Sequence, residues 1–203
     1  LIISPDAKAG GMGDVGVAGS PDAMSMHWNP AKYAFAEDDF GLAICYTPWL
    51  GALVPDIDLS YLAGYTKISN RESFGYSLRY FSLGDIQFRD SQGNDVGTFN
   101  PNEWALSTAY SIKLVDNFST AISLRYIYSN LTGGQYVNTL QTKAGQSIAG
   151  DVSAYYIQEI NTKSDWAMGL NISNIGSKIS YTETATKDFI PTNMRLGASF
   201  TTE

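Results

Sequence analysis

The chain has 203 residues, a formal net charge of −7 and a pI of about 4.6. No basic stripe is available to neutralise phosphates, which argues against nucleic-acid binding. No run of about eighteen apolar residues occurs, which excludes a helical membrane span, and the one cysteine, Cys45, cannot close an internal disulfide and reads as a packing residue.

Residues 1–38 form a segment of their own, rich in Gly, Ala, Ser and Asp. Gly11, Gly13 and Gly16 make a literal G-x-G-x-x-G in GMGDVG. A dinucleotide fingerprint needs a strand before it and a helix after it in a βαβ unit, and the chain that follows is antiparallel β. The glycines are therefore taken as backbone that bends tightly and packs against a wall. His27 is the one histidine, followed by Trp28, Asn29 and Pro30. A Ser-His-Asp hydrolase would need it as base, but no G-x-S-x-G turn accompanies it, so a structural role is favoured. Asp6, Asp14 and Asp22 lack a second ligand type at a useful spacing, so no metal or other cofactor is expected.

From residue 40 onward the chain alternates with period two. Phe40, Leu42, Ile44 and Tyr46 oppose Gly41, Ala43 and Cys45; Ile57, Leu59, Tyr61, Ala63 and Tyr65 oppose Asp58, Ser60, Leu62, Gly64 and Thr66. Phe74, Tyr76, Leu78 and Tyr80 oppose Ser73, Gly75, Ser77 and Arg79. Trp104, Leu106, Thr108, Tyr110 and Ile112 oppose Ala105, Ser107, Ala109 and Ser111, and the run 118–128 repeats the pattern. A noisier sixth strand spans 148–160. The last two are clean, over 166–173 and 193–200.

A soluble sandwich also alternates, but its solvent face would carry many Lys, Glu and Asp. Here the second face is Gly, Ala, Ser and Asn with an occasional Arg, which suits a crowded lumen. The apolar face begins and ends in Tyr, Trp and Phe, as expected of aromatic girdles at two membrane interfaces. Tight polar turns at 69–72, 115–117 and 161–164 alternate with long connections at 47–56, 82–100, 129–147 and 176–191. Bacterial outer-membrane barrels have this asymmetry, with short turns in the periplasm and long loops outside. The expected fold is an all-β, transmembrane antiparallel β-barrel whose bulky residues face hydrocarbon, with residues 1–38 as a segment that is periplasmic or tucked into the lumen and 39–203 as barrel. No signal peptide leads the chain, and Glu203 follows the eighth strand without the aromatic residue that closes such barrels. The expectation is that 39–203 is the first part of a larger barrel.

Arg79, Arg125 and Arg195 fall on the small-residue face, with Asp58, Asp151 and Glu159 as possible partners. Charges at membrane depth must be paired or wet, so these arginines should line the interior, as a stiffening network or as a binding surface for a polar solute. Pro48, Trp49, Leu50, Leu53, Val54 and Pro55 make an apolar loop tip, read either as a partner surface or as a belt segment folded back onto the membrane.

The opening stretch SPDAKAGGMGDVGVAGSPDAMSMHWNPAKYAF, followed by YTPWL, resembles the PorV family, the outer-membrane shuttles of the Bacteroidetes type IX secretion system. The NPA motif alone is also found in long-chain fatty-acid transporters of the FadL type. The resemblance runs through the whole chain and implies a FadL-like fold of fourteen strands with an N-terminal plug, of which the eight strands here would be a little over half. The plug would include Gly11, Gly13, Asp14, Trp28, Asn29 and Pro30. The implied function is non-enzymatic: binding of the large translocon barrel SprA, also called Sov, receipt of folded cargo bearing a type IX C-terminal signal domain, and delivery to the attachment complex containing the PorU sortase. Membrane lipid and lipopolysaccharide would surround the wall. Trp49 and Leu50 would enter an opening in the translocon, with Leu53, Val54, Ile86, Phe88, Phe99 and Tyr136 contributing to partner or cargo contact. Alternatives are a FadL-like transporter of hydrophobic solutes, marked by a kinked wall and an apolar lumen pocket; a lipopolysaccharide deacylase, needing His27 beside a serine; and a soluble sandwich adhesin.

Overall fold

A computed structural model describes residues 3–49, 56–89, 92–134, 136–137, 140–182 and 187–202. Its main feature is one eight-stranded antiparallel sheet, curled into a half-barrel and built in chain order from β1 (Phe40–Pro48), β2 (Ile57–Lys67), β3 (Glu72–Leu83), β6 (Asn102–Val115), β7 (Phe118–Asn130), β10 (Gly145–Asn161), β11 (Ser164–Gly176) and β12 (Asn193–Thr202). Each strand pairs with the next, and β1 and β12 are the edges. The loop after β3 carries its own hairpin, β4 (Ile86–Arg89) with β5 (Asp95–Phe99), and the loop after β7 carries β8 (Tyr136–Val137) with β9 (Leu140–Gln141). No helix of the described residues is long and apolar enough to cross a membrane.

The convex face carries the large apolar side chains. Ile44 is 77 % exposed, Leu124 60 % and Leu196 76 %. Along the strands these residues sort into three tiers. Phe40, Phe74, Tyr110, Phe118, Trp166 and Phe200 lie toward the short-turn end, while Tyr46, Tyr80, Trp104, Tyr126 and Tyr128 lie toward the loop end. Aliphatic Leu42, Ile44, Leu78, Leu106, Ile122 and Leu124 fill the space between. The aromatic tiers are themselves packed: Trp104 stacks on Tyr128 with centroids 5.5 Å apart and lies 5.3 Å from Tyr126. From Phe74 to Tyr80, six residues at about 3.3 Å each span roughly 20 Å.

One strand inverts the expected face. In β2, cross-strand pairing of Leu42 with Gly64 and of Ile44 with Leu62 puts Leu62 and Gly64 outside, and buries Leu59, Tyr61, Ala63 and Tyr65 on the concave side. The cause is what lies inside: Tyr65 stacks on Tyr33 at 4.8 Å and Tyr61 sits under the Arg79 guanidinium at 5.0 Å. Outside, Tyr76 and Leu42 close over the bare Cα of Gly64.

The concave face is filled by residues 3–38, which form α1 (Ala7–Gly11), α2 (Ser25–Trp28) and a 3-10 helix at Pro30–Phe35. Helices this short have no independent stability, and side chains hold them. Asp6 caps α1 and accepts the indole N–H of Trp28 at 3.0 Å. Gly13 (φ +83°) and Asp14 (φ +60°) turn the chain at the end of α1, where Asp14 N–H returns to the carbonyl of Ala9 at 2.8 Å.

Candidate functional site

The small-residue face of the sheet has a chemical purpose: it hydrogen-bonds the backbone of the N-terminal segment. Ser119 donates to the carbonyl of Ala31 at 2.7 Å, Ser73 to that of Tyr33 at 3.0 Å and Ser199 to that of Ala18 at 2.6 Å, while Ser153 accepts from Ala31 N–H at 3.2 Å. These serines come from β7, β3, β12 and β10. Where no side chain can fit, glycine stands. A Cβ on Gly169 would overlap the carbonyl of Val17, one on Gly75 would meet the ring of Tyr33 at 2.6 Å, and one on Gly16 the ring of Trp28 at 2.5 Å.

Asn29 ties the segment to the wall. Its Nδ2 donates to Val17 O at 3.0 Å and to Ala154 O of β10 at 2.9 Å, and its Oδ1 caps the 3-10 helix through Ala31 N–H, with Pro30 pre-set at the first position. Lys32 is buried and donates to the carbonyls of Gly16 at 3.0 Å and Ser20 at 3.4 Å. Burial pushes its amine down to about 8, against the opposing pull of Asp22. Of the plug candidates, Trp28, Asn29 and Pro30 are thus buried against the sheet, whereas Gly11, Gly13 and Asp14 sit in an exposed turn.

Above this segment lies a cavity of about 150 Å³ whose polar floor brings His27, Tyr61, Arg79, Arg125 and Arg195 together. Arg79 lies 2.8 Å from His27 Nδ1, and Arg195 donates to the His27 carbonyl at 3.0 Å while lying 5.1 Å over the Trp28 ring. A guanidinium has no acceptor, so His27 Nδ1 is the unprotonated nitrogen and Nε2 carries the hydrogen. Burial first, and then the Arg79 and Arg195 charges, hold the imidazole pKa well below its usual value, so the ring is neutral. A hydrolase base is oriented the other way, by a carboxylate that accepts from Nδ1–H.

Arg125 is held by Asp151 at 2.8 Å, Ser107 at 3.1 Å and the side-chain oxygen of Asn174. Asp151 is thus the acidic partner the geometry supplies. Asp58 falls on the convex face, and Glu159 is exposed on the short-turn side. Asn174 adopts φ +61° at a register shift between β10 and β11, where its N–H donates to Asp151 Oδ1 at 2.8 Å. The bulge re-aims the wall at the cavity.

The apolar roof comes from the connection between β11 and β12. Sequence spacing suggests an outward loop over 176–191, but Ile179 and Ile190 are buried with Ile127 and Ala105 on the concave face. Tyr181 packs beside them and donates to Ser129 at 2.9 Å, and Ile179 fills the space left by the missing side chain of Gly145. The available signal was Ile179 and Tyr181 two residues apart, and Phe189-Ile190-Pro191, in an otherwise polar stretch.

The described loop candidates Trp49, Ile86, Phe88 and Phe99 do not line this cavity. Trp49 is partly exposed, its N–H bonded to Ile57 O at 2.8 Å; Leu50, Leu53 and Val54 lie outside the described residues. Ile86 is exposed, and Phe88 and Phe99 stack at 6.3 Å across the β4–β5 hairpin. Phe99 also covers Gly133 of the next loop. Tyr136 contributes backbone to β8, and its side chain is outside the described part. Among the described residues no three metal-ligating side chains converge.

No curated protein matches the chain. The family model described as type IX secretion system protein PorV matches residues 1–202, essentially the full length, and the chain belongs to that family.

Proposed function

We propose that this secretion component is an outer-membrane shuttle that binds the SprA/Sov translocon barrel, receives folded cargo carrying a type IX C-terminal signal domain and delivers it to the attachment complex with the PorU sortase. The role is non-enzymatic and uses no cofactor. The observation that carries the membrane part of this reading is the convex face, an aliphatic band between two aromatic tiers with no ion pairs across it among the described residues. Such a surface suits hydrocarbon flanked by interfaces, with lipid and lipopolysaccharide as its surroundings. The edges β1 and β12 would need hydrogen-bonded neighbours there, so the sheet is proposed as part of a closed wall, and residues 1–38 as its plug.

Docking is assigned to the loop end. The Trp49 loop is the most apolar element there, and the β4–β5 hairpin is braced to it through Asp56, which accepts Asp85 N–H at 2.7 Å. Replacing Trp49 and Leu50 with Ser should lower co-purification with the translocon several-fold in a detergent pull-down read by mass spectrometry, with no change in heat-modifiable migration of the barrel. Undiminished recovery of the giant barrel would remove these residues from the interface.

A second reading, transport of a hydrophobic solute, is favoured by two observations: the cavity roofed by Ile127, Ile179 and Ile190, and the bulged wall at Asn174.

A further inference from the structure

The cavity floor is built like the receptor for a negative group. His27 is 8 % exposed, lines the cavity, and its Nε2–H has no hydrogen-bond partner among the described residues. A buried donor without an acceptor costs about 1–3 kcal/mol, so the position favours any ligand that brings an acceptor. Arg195 reaches the same floor and forms no ion pair among the described residues. The lining holds three guanidiniums, of which Arg125 is neutralised by Asp151 behind it, and one carboxylate, Glu103. Glu103 is taken up by Ser129 at 2.6 Å, on the roof side. Three guanidiniums against the two carboxylates Asp151 and Glu103 leave one positive charge in excess over the cavity as a whole, and the guanidiniums gather on the floor.

The other half of the cavity is apolar, with Ile127, Ile179 and Ile190 opposite the arginines. Its volume of about 150 Å³ is close to that of an apolar cavity known to take a benzene-sized guest. The walls thus fix both ends of a ligand: charge beside His27, a body of roughly ring size beneath Ile179 and Ile190.

We infer that this cavity binds a monocarboxylate on a short apolar body, its oxygens accepting from His27 Nε2–H and the Arg195 guanidinium while the apolar part lies under Ile179 and Ile190. The carboxylate could be a free short-chain acid or the terminal residue of a polypeptide entering from the loop end; the recognition chemistry is the same. Two charge-assisted hydrogen bonds in a water-poor floor would give the group both affinity and orientation. The site does not depend on the shuttle reading, and direct binding tests it without the translocon.

Because His27 is the one histidine in the chain, its Nε2–H gives a single imidazole resonance in proton–nitrogen spectra of the protein labelled at histidine and held in neutral detergent. Titration with hexanoate should shift it saturably, whereas hexanol, of the same length without the charge, should leave it in place. Arg195→Gln should weaken hexanoate at least tenfold, and Ile190→Ala, away from the charged floor, should weaken it several-fold. A tripeptide ending in a free-acid leucine, compared with its C-terminal amide, separates the sources. Tighter binding of the acid-ended peptide than of hexanoate, lost in the amide, assigns a polypeptide end; hexanoate alone assigns a small acid. Equal shifts from hexanoate and hexanol, or no saturable shift from either acid, would overturn the site. Translocon co-purification is read separately and is expected to survive Arg195→Gln.

Discussion

At the scale of single residues, the contact between β11 and the N-terminal segment turns on a missing side chain. Gly169 pairs with Gly197 across β11 and β12, and the two bare positions let Val17 lie directly on the sheet. Glycine in a strand interior is normally a loss in backbone entropy; close approach of another backbone is the usual reason it is kept. Here the approach also delivers the Val17 carbonyl to Asn29 Nδ2. Gly169→Val should therefore push Val17 away and break that bond, leaving buried groups unsatisfied at a cost of about 1–3 kcal/mol. Amide exchange over residues 25–36 should accelerate about tenfold or more, while β6 and β7 keep their protection. Unchanged exchange in 25–36 would show that the segment does not rest on this contact.

At the scale of elements, much of the sheet was written in local patterns. The eight long strands and the three tight turns follow from alternation and from polar turn residues such as Ser69, Asp116 and Lys163, all short-range signals. What escaped was set by partners distant in sequence. Alternation divides β2 into two faces but does not say which one looks inward; Tyr33 and His27 decide that, some thirty residues earlier. The inward placement of Ile179 and Tyr181 was equally opaque, because it depends on Gly145 and Ser129 rather than on the composition around them. The cavity had partial visibility: three arginines on one face were evident, but the role of His27 needed the geometry of Arg79.

The inversion of β2 gives a direct test. Tyr65 and Tyr80 look alike in an alternating sequence, yet Tyr65 is 5 % exposed and stacked on Tyr33, whereas Tyr80 is 40 % exposed on the convex face. Tyr65→Ala should cost a few kcal/mol through cavity formation and lost stacking, lowering the unfolding midpoint by roughly 5–15 °C for a chain of this size. Tyr80→Ala should lower it far less in near-UV circular dichroism melts. Equal losses, or the reverse order, would mean that β2 presents the other face.

At the scale of the whole molecule, the distribution of apolar surface is inverted relative to a water-soluble protein, in which contiguous exposed apolar patches rarely exceed a few hundred Å². The burial inside is largely Ala, Ser, Gly and Tyr, while Leu, Ile and Met crowd the outside. The two environments make opposite demands on an arginine placed on the convex face. In water, at an exposed position, it would change stability by no more than about 0.5 kcal/mol at any height on the wall. In a bilayer the cost depends on depth, about 2–4 kcal/mol at the midplane and about 0–1 kcal/mol near an interface. Leu124 lies between the aromatic tiers, and Leu114 lies beyond Tyr110 at the short-turn end; both are exposed. Leu124→Arg should thus destabilise the protein by about 2–4 kcal/mol in urea titrations from lipid vesicles, and Leu114→Arg by no more than about 1 kcal/mol. Two small and equal effects would place water rather than hydrocarbon against Leu124, because neither packing nor hydrogen bonding distinguishes these exposed leucines except through the medium that covers them.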